Sequence, residues 1–303
     1  NRFGCNLLAV DVYGGALLNP WFDRDLSMAG KVSFETGTGE LVSRLIDFKA
    51  PIAVIPSLAI HLDRDANKGR TVNPQTDMLP LVSLSSGDGD FDIHAMLTAQ
   101  IAAEYPDLDV KKILDWELSL YDTQAPGFVG LNNDFIASAR LDNLLSCFGG
   151  LQAIINSADS GEWNLFVAND HEEVGSASAV GAQGPMLNDV LRAIAPDPVD
   201  DRALRQASWM LSVDNAHAIH PNYPTKHDEL HAPLLGSGPV IKINRNQRYA
   251  TSGEGAARVR LLAERAGVSV QSFVVRADMG CGSTIGPITA TETGIPTTDI
   301  GVP

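Results

Sequence analysis

Trp163-Asn164-Leu165-Phe166-Val167-Ala168-Asn169-Asp170-His171-Glu172-Glu173-Val174-Gly175 sets an apolar run directly against a cluster of carboxylates. Read as a strand over residues 163–168, the run ends where the acidic side chains begin. Neighbouring side chains of an extended backbone point to opposite faces, so Glu172 and Glu173 would diverge. One could then bind a metal while the other reaches a water beside it. Ligand next to general base is the division of labour that metal-assisted hydrolysis requires.

Working outward, residues 209–213, 240–243 and 272–275 also read as apolar strands. They alternate with helical patterns at 140–157, 185–195 and 252–266. Strand and helix in alternation predict an α/β fold, a hydrolytic domain whose mixed, partly parallel sheet is flanked by helices. In such sheets, ligands gather at the carboxyl ends of strands. The front of the chain differs. Residues 6–13, 30–34, 41–48 and 52–55 read as strands, 71–89 as loop and 91–105 as a helix. The division expected is therefore a β-rich domain over 1–115 followed by the α/β domain over 116–303.

Two further acidic segments sit at element ends. Asp142, in Ser138-Ala139-Arg140-Leu141-Asp142-Asn143, opens a helical pattern; Asp214, in Leu211-Ser212-Val213-Asp214-Asn215-Ala216-His217, follows a strand. Carboxylates from three separate places could converge on one crevice, and oxygen with imidazole ligands suits zinc or a related divalent ion. Each has a plainer reading. Asp142 could be a helix N-cap, Asp214 could cap a turn, and Lys242 could be a solvated strand residue. His217, His220, His227 and His231 could hold a metal or hydrogen-bond within a Pro-rich loop.

Composition narrows the classes. The 303 residues are 44% hydrophobic and 19% charged, with a formal net charge of -15 and a pI near 4.7. That charge argues against nucleic acid and anionic membranes as partners. Cys5, Cys147 and Cys281 are too few and too scattered for a disulfide framework. With no apolar run of membrane-spanning length and no signal-peptide pattern, a cytoplasmic setting is expected. The chain begins at Asn1 without Met and stops on a strand-like Asp299-Ile300-Gly301-Val302-Pro303, so both ends are expected to have been cut.

Longer strings then become recognisable. His171-Glu172-Glu173-Val174-Gly175-Ser176, Ser138-Ala139-Arg140-Leu141-Asp142-Asn143-Leu144 and Asp214-Asn215-Ala216-His217-Ala218-Ile219-His220-Pro221-Asn222-Tyr223 resemble signatures of the aspartyl aminopeptidases. So do residues 238–249, Cys281-Gly282-Ser283-Thr284-Ile285-Gly286-Pro287, Val12-Tyr13-Gly14-Gly15-Ala16-Leu17-Leu18 and Ile55-Pro56-Ser57-Leu58-Ala59-Ile60-His61-Leu62. The resemblance spans nearly the whole chain in the family's order. It implies two zinc ions per subunit, with Asp142 bridging them, Glu173 on one and Asp214 on the other. Glu172 would be the general base that takes a proton from the attacking water and passes it to the leaving amine. Lys242 would pair with the acidic side chain of an N-terminal Asp or Glu, and Tyr249 would be a second substrate contact. The front domain would be an inserted oligomerisation domain. In a homo-dodecamer, its His61 would reach a neighbouring subunit's site and stabilise the developing oxyanion. The alternatives are a non-catalytic assembly or cargo member of the same fold, or a dinuclear-zinc aminopeptidase of different specificity.

The resemblance also implies two histidine ligands, one in a His-Thr-Asp-Ser segment and one in a Met-His-Ser segment. Neither segment occurs in this sequence. The expectation is that they lie just beyond its two ends.

Overall fold

A computed structural model describes residues 2–85, 91–157 and 161–303. The chain divides into two units, Asn1–Ala139 and Arg140–Pro303.

The first unit runs β1 (Cys5–Leu7), β2 (Leu26–Thr36), β3 (Leu41–Asp47), the one-turn helix α1 (Pro74–Asp77), β4 (Leu81–Leu84), α2 (Ile93–Glu104), β5 (Val110–Asp122), β6 (Gly127–Val129) and β7 (Phe135–Ala137). Strand β2 is the centre of an antiparallel sheet of order β3-β2-β5. Alternation along β2 turns Val32 and Phe34 inward, where they meet Ile46, Ile113 and, from α2, Leu97 and Ile101. Fully burying each such side chain contributes about 1.5–3 kcal/mol. Asp92 starts α2 by accepting the backbone N–H groups of His94 and Ala95.

Three expectations change here. The boundary expected near residue 115 falls inside β5, which pairs with β2 from Leu26 opposite Asp122 to Thr36 opposite Val110. A strand bonded along its length to one sheet belongs with that sheet, so the first unit extends to Ala139. The stretch expected to be loop from 71 contains α1 and β4; the part of it past residue 85 lies outside the described residues. In the apolar run 6–13, only the start is paired, as β1 against β4.

The second unit runs α3 (Leu141–Asn156), α4 (Met186–Ile194), α5 (Pro198–Ala207), β8 (Met210–Val213), β9 (Val240–Lys242), α6 (Gly253–Ala266), β10 (Gln271–Phe273), α7 (Ile285–Thr293) and β11 (Thr297–Gly301). Its sheet has the order β10-β9-β11-β8. Strand β10 is parallel to β9 and β11 to β8, while β11 and β9 are antiparallel. Helices α6 and α7 pack on β11. The fold is therefore mixed α/β with a partly parallel sheet flanked by helices.

The run 163–168 is not a strand. Among the described residues it has no ladder partner, and Trp163, Leu165 and Phe166 remain 74%, 47% and 39% exposed. An apolar pattern encodes burial, but a strand also needs a neighbouring backbone to bond. Phe166 instead leans on α3, where its ring would lie 2.6 Å from a Cβ placed on Gly150.

Candidate functional site

The sheet order decides which side chains meet. Ile300 of β11 lies opposite Val213 of β8 on one side and Ile241 of β9 on the other. Asp214, just past β8, therefore comes level with Gly301 at the end of β11, while Lys242, at the end of β9, comes level with Asp299 and extends its side chain toward Gly301. Gly301 makes the approach possible. A Cβ there would fall 2.0 Å from the Asp214 carbonyl oxygen and 3.1 Å from Lys242 Cε. Lys242 is 2% exposed and its Nζ donates to Asp214 Oδ2 at 2.9 Å, so it is a buried cation with a partner and not a solvated strand residue.

Asp142 enters from the start of α3. Its backbone and that of Asn143 are non-helical, and the peptide between them is cis. The helix has no side-chain cap, which sets aside the N-cap reading of Asp142. Asn143 ties the segment down, donating through Nδ2 to the Val213 carbonyl at 3.0 Å and to Asp214 Oδ1 at 3.4 Å. The Asp142 and Asp214 carboxyl groups come close enough for Asp214 to raise the proton affinity of Asp142.

Glu172 and Glu173 arrive by a different geometry from the expected strand end. They sit in a single 3₁₀ turn, Glu172–Val174, between His171 at φ 57° and Gly175 at φ 100°. Gly175 donates back to the Glu172 carbonyl at 2.9 Å, and Ser176 to the His171 carbonyl at 2.8 Å. The His171 ring is held by Ser178 Oγ at 2.8 Å. The two glutamates still separate: Glu172 is half-buried, whereas Glu173 is exposed. The cause is helical rotation from one residue to the next, not strand alternation.

Electrostatics confirms that these groups feel one another. Lost water contact, the hydrogen bond to Asp214 and the charges of Asp214 and Glu173 push Asp142 up to about 6, against a smaller opposing pull from Lys242. Glu172 is raised as well, first by burial and then by Asp214, Glu173 and Asp142, again opposed by Lys242. Four carboxylates thus crowd around one ammonium. Among the described residues no three His, Cys, Asp or Glu side chains close into a ready metal cage. The donor chemistry nevertheless fits a divalent cation. The cluster carries excess negative charge, its ligands are oxygens, and beside it Asn215 Oδ1 is buried with no hydrogen-bond partner among the described residues.

A cavity of about 350 Å³ opens beside Asp214 and Lys242, with Tyr249, Phe273, Arg276 and Thr284 among its walls. Tyr249 is 6% exposed and the Lys242 ammonium lies 5.6 Å from the centre of its ring. Burial and contact with Cys281 raise the Tyr249 hydroxyl above its ordinary range. In the histidine-rich loop three rings serve local hydrogen bonds, while His217 meets Phe273 edge-on at the cavity wall. His227 Nε2 accepts from the His220 N–H at 3.0 Å, His220 Nδ1 accepts from Asn222 at 3.2 Å, and His231 bonds Asp228. His61 belongs to the first unit, exposed in a turn closed by Leu62 N–H to the Ala59 carbonyl.

Asn143 and Gly301 were not singled out from the sequence. Asn143 offered the faint signal of an amide directly after Asp142; Gly301 offered none until the strand pairing was known.

Residues 2–303 match the family model described as "Aminopeptidase I zinc metalloprotease (M18)". The chain belongs to the M18 family. One M18 relative, the probable M18 family aminopeptidase 2 of Pseudomonas entomophila strain L48, is 59% identical over 302 residues, which are 100% of this chain and 70% of that protein. Among solved structures, a chain in the cryo-EM structure of the Ape4 and Nbr1 complex aligns with a TM-score of 0.91 at 36% identity. It is matched over 99% of this chain and 62% of its own length. The S. cerevisiae mApe1 dodecamer aligns with a TM-score of 0.81 at 30% identity, over 99% of this chain and 67% of that one. The chain thus spans roughly two-thirds of the M18 proteins it resembles.

Proposed function

We propose that the protein containing this chain is a zinc-dependent aminopeptidase that releases N-terminal Asp or Glu from peptides. The observation that carries the reading is the meeting of Asp142, Glu172, Glu173 and Asp214 around the buried Lys242, with Asp214 and Lys242 lining the cavity. Asp142, Glu173 and Asp214 would hold two zinc ions, with Asp142 shared between them. When bound, the metal pair polarises the scissile carbonyl and acidifies a water.

Glu172 does the proton work. Its affinity for a proton is raised by burial and by three neighbouring carboxylates, which moves it toward the operating pH of a general base. It accepts a proton from the attacking water and delivers it to the leaving amine. Lys242 supplies the positive charge for an acidic substrate side chain. Its ammonium has three N–H donors; one is committed to Asp214 Oδ2, which leaves two for a substrate carboxylate. Tyr249 lies beside that position as the second contact. Phe273, Val274, Val275 and Met279 line the same cavity and limit water around the buried charges.

His61 would act on the site of a neighbouring subunit in a homo-dodecamer. Assembly is supported by the likeness to the S. cerevisiae mApe1 dodecamer. Among the described residues no helix is long and apolar enough to cross a membrane, and a cytoplasmic setting remains the proposal. Metal analysis and hydrolysis of Asp- and Leu-linked chromogenic amides by the full-length protein test the reading. Bound zinc and preferential turnover of the Asp amide are expected. A protein with neither metal nor turnover would be the non-catalytic assembly member instead.

A further inference from the structure

We infer that Asp299, in β11, is a positioning residue that sets acidic-substrate selectivity by fixing the two loops that wall the cavity; this rests on the proposed role of Lys242 and Tyr249. Asp299 is 1% exposed, and an unpaired carboxylate at that depth would be costly. Its oxygens are committed in two directions. Oδ2 accepts the Ala250 N–H at 2.6 Å and Oδ1 accepts the Thr284 hydroxyl at 2.7 Å. Its own N–H donates to Thr251 Oγ1 at 2.9 Å. One side chain therefore ties the residue after Tyr249 to the residue that opens α7. The two loops also meet where Ser283 Oγ donates to the Arg248 carbonyl at 3.3 Å.

The position is prepared for a charge. A Cβ on Gly286, in the first turn of α7, would lie 2.2 Å from Asp299 Oδ1, so glycine lets the helix start close over the carboxylate. A negative group there is favoured by the helix dipole, and bonds to an ionised acceptor are among the stronger ones. Continuing the register of Ile300 opposite Ile241 sets Asp299 level with Lys242 on the neighbouring strand. Tyr249, Ser283 and Thr284, the residues held by this tie, line the cavity with Lys242. None of the hydrogen bonds of Asp299 reaches Asp142, Glu172, Glu173 or Asp214. Its influence should fall on recognition of the substrate side chain and not on the proton-transfer step.

The test uses the full-length, zinc-loaded protein and Asp- and Leu-linked chromogenic amides. Asp299→Ala removes both bonds; Thr284→Val removes one and leaves the carboxylate in place. Asp299→Asn keeps an acceptor for Ala250 and can donate to the Thr284 oxygen, so it preserves the tie without the charge. Asp299→Ala should raise KM for the Asp amide by about 10-fold, the scale of one lost hydrogen bond to a charged group, with a smaller rise for the Leu amide and the larger share of the change in KM, not kcat. Thr284→Val should shift the same ratio in the same direction by less, and Asp299→Asn should restore most of the loss. Labelling of Cys281, whose loop is released, should speed up in parallel in Asp299→Ala, read by mass spectrometry of its peptide. The inference is overturned if Thr284→Val and Asp299→Asn lower kcat for both substrates equally, as a structural defect would. Lys242→Met separates the two levels. If it abolishes the Asp preference while the Asp299 and Thr284 variants keep it, the positioning role alone is wrong. If Lys242→Met also keeps it, the selectivity reading and this inference fall together.

Discussion

Replacing Lys242 by Met removes the ammonium and leaves a side chain of similar length, so packing around β9 is largely kept. At 2.9 Å from Asp214 Oδ2, an ammonium–carboxylate pair at an effective dielectric of 20 attracts by about 6 kcal/mol. That is an upper figure, because the Asp214 side chain is 23% exposed and Asn143 also contacts it. Breaking a buried pair by removing one partner costs about 3–5 kcal/mol, and the partial exposure of Asp214 places this case at the lower end. The expected stability loss is therefore about 3 kcal/mol, read from denaturant midpoints of the metal-free protein. Function should suffer more selectively. A substrate carboxylate left buried without its cation loses about 2–5 kcal/mol, or roughly 30-fold to several thousand-fold in kcat/KM. The Leu amide has no such carboxylate and should lose much less. The ratio of the two kcat/KM values isolates recognition from any general damage. A ratio within about threefold of the parent, a difference below 1 kcal/mol, would refute the assignment of Lys242 to the acidic side chain, whatever happens to stability.

Glu172→Gln keeps the size and hydrogen-bonding reach of the side chain but cannot take a proton; kcat should fall by about 10²–10⁴ with zinc content unchanged, and turnover near the parent level would remove Glu172 from the mechanism. In the chelated protein, Asp142 is raised from 3.8 to about 6, so its contribution to stability is full below the lower value and is lost as pH rises through the upper one. The difference in denaturant midpoint between parent and Asp142→Asn should therefore move against the parent as pH rises from 4 to 6, and added zinc should reverse that trend; a pH-independent difference would show that Asp142 is not crowded. In the first unit, Leu97→Ala should cost about 2–5 kcal/mol, since Leu97 is fully buried against Val32 and Phe34; a loss below 1 kcal/mol would place α2 off the β2 sheet.

How much of this was legible in the sequence depends on the range of the interactions that made each element. Helices α3, α4 and α6 were readable from their own periodicity, because a helix satisfies its backbone internally. Strand β5 was not, since its pattern of charged and apolar residues acquires meaning only against β2. The 163–168 run failed for the converse reason: its side chains looked right, but among the described residues no neighbouring strand pairs with it. At the site, residue types were legible and geometry was not. The carboxylates could be named from their motifs, yet Glu172 and Glu173 diverge through a 3₁₀ turn, and Asp142 sits beside Asp214 through the amide of Asn143. Asp299 carried a signal that could have been used, a charge in the middle of the buried strand Thr297–Gly301.

The cluster also explains why Lys242 and Asp299 had to be buried differently. Asp142, Glu172, Glu173 and Asp214 repel one another, and the raised Asp142 and Glu172 show that the fold bears this repulsion. Such strain persists only where the surrounding structure enforces it. Enforcement here comes from the ends of β8, β9 and β11, where Gly301 brings Asp214 and Lys242 together. Lys242 balances part of the charge, and each carboxylate it steadies is one that a bound cation would otherwise have to draw in. Asp299 has the opposite task. Its oxygens are bonded to Ala250 and Thr284 beside the start of α7, so it ties the cavity wall together apart from the cluster of Asp142, Glu172, Glu173 and Asp214. With Asp299 committed elsewhere, the Lys242 ammonium has Asp214 as its carboxylate partner among the described residues.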